Sequence, residues 1–177
     1  EESPKIHNFK ATLPDIQSDM ALELFKDPYH FEFLNMDKPA KERAIEHALV
    51  NQIKDFLLEL GQGFAFVGNQ YHLCVGWDDF YIDCLFYNYK LRCFVVIELK
   101  SGKFKPEYSG QLNFYLTAID RQVKSSEDQS SIGILLCETK NEVVAQFAVD
   151  GMTKPMGISE YELSRALTHK LKQIQAI

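Results

Sequence analysis

Residues 95–105 read VVIELKSGKFK. Val95, Val96 and Ile97 are β-branched and apolar, the composition of a strand inside a sheet. That strand ends on Glu98 and Lys100, an acid and a base two residues apart. Side chains at i and i+2 of a strand share a face, so Glu98 and Lys100 point one way and Leu99 the other. The preceding segment, DDFYIDCLFYNY (78–89), is also strand-like and carries Asp83 among apolar neighbours. A tight connection at Asn88–Lys90 predicts an antiparallel hairpin. Simple mirror pairing sets Asp83 opposite residues near 95, not necessarily level with Glu98, but bulges and strand twist can bring the two side chains onto one patch. Two acids close together in an apolar setting repel each other and lose hydration. A hard divalent ion with oxygen ligands, Mg²⁺ or Mn²⁺, is their natural partner. These three residues alone are equally compatible with a solvated strand end and a strand acid with a local partner.

Outward from this hairpin, the pattern alternates helix and strand. DMALELFKDPY is expected to be a short helix starting at Asp19 and ending before Pro28. The clearest helix is expected over roughly 38–60, with Pro39 in its first turn and Gly61 as its stop. Its apolar stripe is Ile45, Leu49, Ile53, Phe56, Leu57 and Leu60. FAFVGN (64–69) and QYHLCV (70–75) read as two strands ahead of the central pair. Pro106 opens a helix with Leu112, Tyr115, Leu116 and Ile119 on one side. SSEDQSS (125–131) is a solvated loop, and the wholly apolar IGILLCE (132–138) is a strand covered on both faces. Residues 141–151 are read as a short helix, 157–163 as an edge strand, and SRALTHKLKQIQ as a terminal helix. Trp77 is expected to pack beside a turn. The order describes an α/β domain with a mixed central sheet flanked by helices.

A chain of 177 residues fits one domain with a substantial core. No apolar run has the length of a membrane span, and the polar start EESPKIHNFK is no signal peptide. Lacking an initiator Met, that start suggests a piece of a longer protein. Residues 1–18 are expected to be an extended arm or linker from an upstream domain, with the globular domain over 19–177. Cys74, Cys84, Cys93 and Cys137 sit in strand-like contexts without CxxC spacing. They are expected to be buried free thiols of a cytoplasmic protein. The five histidines show no zinc-ligand spacing, and His47 and His72 read as structural or exposed. The net charge of −6 argues against a generally basic nucleic-acid binder. The middle of the chain, 61–125, is nevertheless slightly basic, with seven Lys/Arg against six Asp/Glu. A local anion-binding surface is therefore compatible with an acidic protein.

The D…ExK arrangement of YID, a hairpin and VVIELK resembles the core of the PD-(D/E)xK nuclease superfamily, which includes restriction endonucleases and Holliday-junction resolvases. More closely, FLLELGQGFAFVGNQYHL, FYIDCLFYNYKLRCFVVIELKSGKFKPEYSGQLNFYL and SIGILLC resemble the C-terminal nuclease domain of the YhcG-like family of bacterial proteins. The resemblance runs from about Asp27 to about Leu163. It implies a restriction-endonuclease-like fold and Mg²⁺- or Mn²⁺-dependent cleavage of DNA phosphodiesters. Asp83, Glu98 and the Leu99 carbonyl would hold the metal, and Lys100 would assist the attacking water. Gln111 matches a Gln of the following helix. Glu46 matches an acid of the helix before the sheet, with Glu42 one turn earlier as the alternative. The sequence departs from the usual pattern at Cys84, where an aliphatic residue is commoner, and at Ile82, where the superfamily's name-giving Pro would stand.

Lys90, Arg92, Lys103 and Lys105 are candidate nucleic-acid contacts, though a solvated rim is the more ordinary reading of such residues, and Tyr108 is a further candidate contact. Genome defence, repair or recombination, and mobile-element control all fit such a nuclease. The other readings are a non-cleaving nucleic-acid-binding module and a protein-interaction module. The resemblance also implies an upstream DNA-binding or assembly domain; membrane association is not expected, and homo-oligomerisation is left open.

Overall fold

The chain was analysed as a computed structural model that describes residues 4–163 and Ile174. One sheet organises the molecule. Its strands are β1 (Ile6–His7), β2 (Tyr29–His30), β3 (Phe64–Val75), β4 (Asp78–Asn88), β5 (Cys93–Leu99), β6 (Ile132–Cys137) and β7 (Met156–Glu162). The spatial order is β1-β7-β6-β5-β4-β3, with β2 also pairing β7. β3, β4 and β5 form an antiparallel meander, and β5, β6 and β7 run parallel. The parallel part needs helical crossovers. These are α5 (Pro106–Gln122), between β5 and β6, and α6 (Glu142–Asp150), between β6 and β7.

Each face of the sheet has its own core. One is covered by α1 (Phe9–Thr12), α2 (Asp15–Leu24), α3 (Glu42–Asn51) and α4 (Ile53–Leu60). Phe9, Phe25, Ile45, Leu49, Phe56 and Leu60 meet Phe86, Val95, Ile97 and Leu99 there. The other core joins Leu112, Leu116 and Ile119 of α5 and Ala145 of α6 to Leu85, Val96, Leu135 and Ile158. All six residues of β6 are buried, as a strand covered on both faces requires. Gly157 is needed by packing, because a Cβ there would lie 2.6 Å from the Phe25 ring.

Several elements differ from the sequence expectation. Residues 6–18 are no extended arm; they form β1, α1 and the first turn of α2. Ile6, Phe9 and Leu13 supply enough apolar surface to be buried. Buried Asn8 ties the segment down, donating from Nδ2 to the carbonyls of Lys154 (2.9 Å) and Val149 (3.2 Å) and accepting from Met156 N–H (2.8 Å). The helix expected at Asp19 begins at Asp15. The long helix expected over 38–60 is two, broken where Gln52 leaves helical geometry (φ −112°, ψ 48°). The two strands expected between 64 and 75 are one, with a register shift between Phe66 and Gly68.

β7 is no edge strand, because β1 pairs along it on the side away from β6 and β2 extends its pairing. Cys74 is exposed, while Cys84, Cys93 and Cys137 are buried free thiols. Trp77 does not pack beside the turn as expected. It sits 96% exposed at the tip of the β3–β4 hairpin, where Gly76 and Trp77 both have positive φ. The expected terminal helix, apart from Ile174, lies outside the described residues.

Candidate active site

The hairpin connecting β4 to β5 turns through residues 89–92, later in the chain than the expected 88–90, and this moves the register by three residues. Asn88 pairs with Cys93 and Cys84 with Ile97, so Asp83 arrives level with Glu98 rather than with residue 95. Regular pairing stops there, and the side chains take over. Leu99 N–H donates to Asp83 Oδ2 at 2.8 Å, and Asp83 N–H donates to Glu98 Oε1 at 3.0 Å. Each carboxylate thus satisfies a backbone donor of the opposite strand. β4 also loses its alternation at this point. Ile82 and Cys84, two apart, pack into different cores. Directly opposite residues of an antiparallel pair share a face, so the level register is what places both acids on one patch.

Glu98 is 3% exposed. Burial, reinforced by the charge of Asp83, holds its carboxyl well above the usual range. The same acids act on their surroundings: burial, then the charges of Glu98 and Asp83, raise the Tyr115 phenol.

A third acid comes from α3. Ile45 and Leu49 bury one face of this helix and turn Glu46, itself 3% exposed, toward the sheet. Glu46 Oε2 accepts from Gln70 Nε2 at 2.7 Å, and its Oε1 accepts from Asn69 Nδ2 at 3.2 Å. The Gln70 amide also donates to Asp83 Oδ1 at 3.2 Å, so one NH₂ group bridges two acids. Gln70 has φ 46°, a left-handed conformation that costs a non-glycine residue of order 1–3 kcal/mol. Glu42, the alternative acid, instead accepts from the backbone N–H of Ser101 at 3.0 Å. It clasps the loop after β5 rather than touching Asp83.

On the other flank, Lys100 Nζ donates to Gln111 Oε1 at 3.1 Å and lies 4.9 Å from the centre of the Tyr108 ring. Gln111 Nε2 in turn donates to the Tyr115 hydroxyl oxygen at 3.2 Å. A continuous polar chain therefore runs from Glu46 through Gln70, Asp83, Glu98 and the β5 end to Lys100 and Gln111.

Tyr108 is thus at the site, and Lys103 and Lys105 lie exposed on the loop that leads from Lys100 into α5. Lys90 and Arg92 are not brought to it. They occupy the β4–β5 turn, beyond the five residues of β5 that lead back from Glu98 to Cys93, roughly 17 Å or more at about 3.3 Å per residue. Sequence reading also missed Asn69 and Gln70, whose signal was two amides beside Gly68 inside a strand. A different cluster, His30, Glu32 and Glu162, lies where β2 meets β7. Its His30–carboxylate distances of 3.2 and 3.5 Å are those of ordinary ion pairs.

The donor set suits a hard divalent ion. All three acids supply oxygen, two of them are nearly inaccessible, and the nearest ammonium group is directed to Gln111. Residues 22–175 match the family described as "YhcG PDDEXK nuclease domain". The chain belongs to this family. Within the YhcG PDDEXK family it is 35% identical over 159 residues to the Escherichia coli (strain K12) protein named "Putative nuclease YhcG". That alignment covers 88% of this chain but only 42% of the relative, so the chain spans less than half of that protein's length.

Two solved structures align more distantly. A repair endonuclease from Pyrococcus abyssi gives a TM-score of 0.44 at 15% identity, covering 72% of this chain and 49% of its own. A structure of an EndoMS–dsDNA complex gives 0.47 at 15% identity, covering 71% and 47%. Among the described residues no helix is long and apolar enough to cross a membrane.

Proposed function

We propose that this YhcG-family domain is a Mg²⁺- or Mn²⁺-dependent nuclease that hydrolyses DNA phosphodiester bonds. The observation that carries the proposal is the meeting of Asp83 and Glu98, each on the backbone of the other's strand, with Glu46 and Lys100 on either side. Two adjoining acids, with a third tied to them through the Gln70 amide, are a costly arrangement without a cation, and a metal-dependent site accounts for it. DNA is favoured as substrate by the likeness to the restriction-endonuclease and resolvase superfamily.

Asp83, Glu98 and the Leu99 carbonyl would hold the ion, with Glu46 beside them. When bound, the ion supplies positive charge to the scissile phosphate and the leaving oxygen. The chain's own residues do the rest. Asp83 and Glu98 are pre-oriented by the Leu99 and Asp83 N–H groups, so their carboxylates lose little freedom on binding. Lys100 presents a cation beside the acids, where it stabilises negative charge building up at phosphorus. Gln111 and the Tyr108 ring hold that cation on the open side of the sheet end. The Tyr161 hydroxyl donates to the Lys100 carbonyl at 3.3 Å, fixing the backbone from which Lys100 projects.

In the longer protein an upstream DNA-binding or assembly domain would direct this nuclease, in a cytoplasmic role in genome defence, repair or mobile-element control. Reduced Cys84, Cys93 and Cys137 agree with that compartment.

The test is incubation with supercoiled, linear, single-stranded and junction DNA, and with RNA, in Mg²⁺, Mn²⁺ or EDTA. Metal-dependent cleavage lost in Asp83→Ala is the expected result. Absence of cleavage of every substrate under every metal condition would favour a non-cleaving binding module.

A further inference from the structure

A cleft of about 430 Å³ opens between α3 and β3, lined by Arg43, Ala44, Glu46, His47, Asn69 and Gln70. We propose that this cleft binds a backbone phosphate of the nucleic acid, with Arg43 and His47 as its contacts. The inference rests on the nuclease reading and adds to it a place for the substrate strand.

Four observations carry it. First, Arg43 and His47 are four residues apart on α3, so they share one helical face. Burial of Ile45, Glu46 and Leu49 turns that face outward, over the cleft. Second, among the described residues no ion pair engages Arg43, whereas Lys26, Lys140 and Lys154 are all paired with acids. An exposed guanidinium is suited to two-pronged contact with phosphate oxygens.

Third, the acid in the cleft is already engaged. Both Glu46 oxygens accept amide hydrogens, from Asn69 and Gln70, which blunts their repulsion of an incoming anion. Fourth, the cleft adjoins the reacting centre through a single side chain, because the Gln70 amide that borders it also holds Asp83. The volume falls in the range of clefts that hold small ligands. With Lys103, Lys105 and Tyr108 on the opposite flank, the acids lie between two cationic rims. A strand crossing from α3 to α5 would therefore pass over Asp83 and Glu98. The turn carrying Lys90 and Arg92 stands outside this path.

The experiment is fluorescence anisotropy of labelled duplex DNA, single-stranded DNA and single-stranded RNA, in Ca²⁺ buffer, across a salt series. Arg43→Ala, Arg43→Lys, His47→Ala and Lys90→Ala/Arg92→Ala are compared with the unaltered chain. Loss of one duplex phosphate contact lowers the slope of log affinity against log salt by about 0.9, or about 0.7 for a single strand. Arg43→Ala should show that loss and about a tenfold weaker Kd near 0.1 M salt. Arg43→Lys should keep the slope, His47→Ala should weaken binding, and the turn variant should match the unaltered chain. Melting temperatures should not move, because both side chains are exposed.

An unchanged Kd and slope in Arg43→Ala, in a chain that cleaves with Mg²⁺, overturns the cleft and leaves the nuclease reading standing. A chain that neither binds nor cleaves any of the three nucleic acids overturns both.

Discussion

Replacing Glu98 by Gln should stabilise the metal-free protein while abolishing cleavage. Glu98 is 3% exposed and adjoins half-buried Asp83, so above the ordinary carboxylate range the folded chain must either keep a proton on Glu98 or charge it beside Asp83. Two unit charges about 5 Å apart at an effective dielectric constant of about 20 repel by about 3 kcal/mol. Gln keeps the shape and the acceptor for the Asp83 N–H, and it offers an N–H to the Asp83 carboxylate. Imperfect amide geometry takes back part of that gain, leaving about 1–3 kcal/mol. In a chain of this size, that is a rise in melting temperature of roughly 3–10 °C.

The pH dependence follows from the direction of the shift. Burial and the Asp83 charge raise the folded-state pKa of Glu98 above its unfolded value. The folded state therefore binds the proton more tightly, and its advantage is complete below the unfolded pKa, about 4.3. That advantage is lost progressively as pH rises toward the folded value. The gap between Glu98→Gln and the unaltered chain should thus be near zero at pH 4 and widest at pH 8. Urea unfolding in EDTA at both pH values measures it, and Mg²⁺ should narrow the gap by stabilising only the unaltered chain. A variant that is less stable at pH 8 in EDTA, or a gap independent of pH, would refute the account of the buried acid pair.

Lys100→Ala should bind divalent ions by calorimetry as the unaltered chain does, yet cut supercoiled plasmid at least 100-fold more slowly, whereas Asp83→Ala should lose both properties and still fold. Gln70→Gly relieves the positive φ, so its unfolding free energy should be unchanged or up to about 1 kcal/mol higher; its ion affinity should fall severalfold because nothing then bridges Glu46 and Asp83. Gly157→Ala should destabilise the fold by about 1–3 kcal/mol in urea unfolding, because the new methyl meets the buried Phe25 ring.

What the sequence determined by itself is mostly local and periodic. The apolar run 132–137, the stripe on α5 and the paired strands around Asn88 were legible because a face that must be buried leaves its period in the chain. The i, i+2 relation of Glu98 and Lys100, and the family resemblance, point to the end of β5 from the sequence alone. Tertiary structure decided the rest. The level meeting of Asp83 with Glu98 depends on the turn falling at residues 89–92 rather than 88–90, a placement with no compositional signature. Folding of residues 6–18 depends on Asn8 finding carbonyls and an N–H some 140 residues away, a long-range satisfaction that local propensity cannot express. The break at Gln52 and the positive φ of Gln70 belong to the same class. In each, a side chain or turn gives up its local preference because packing elsewhere outweighs it.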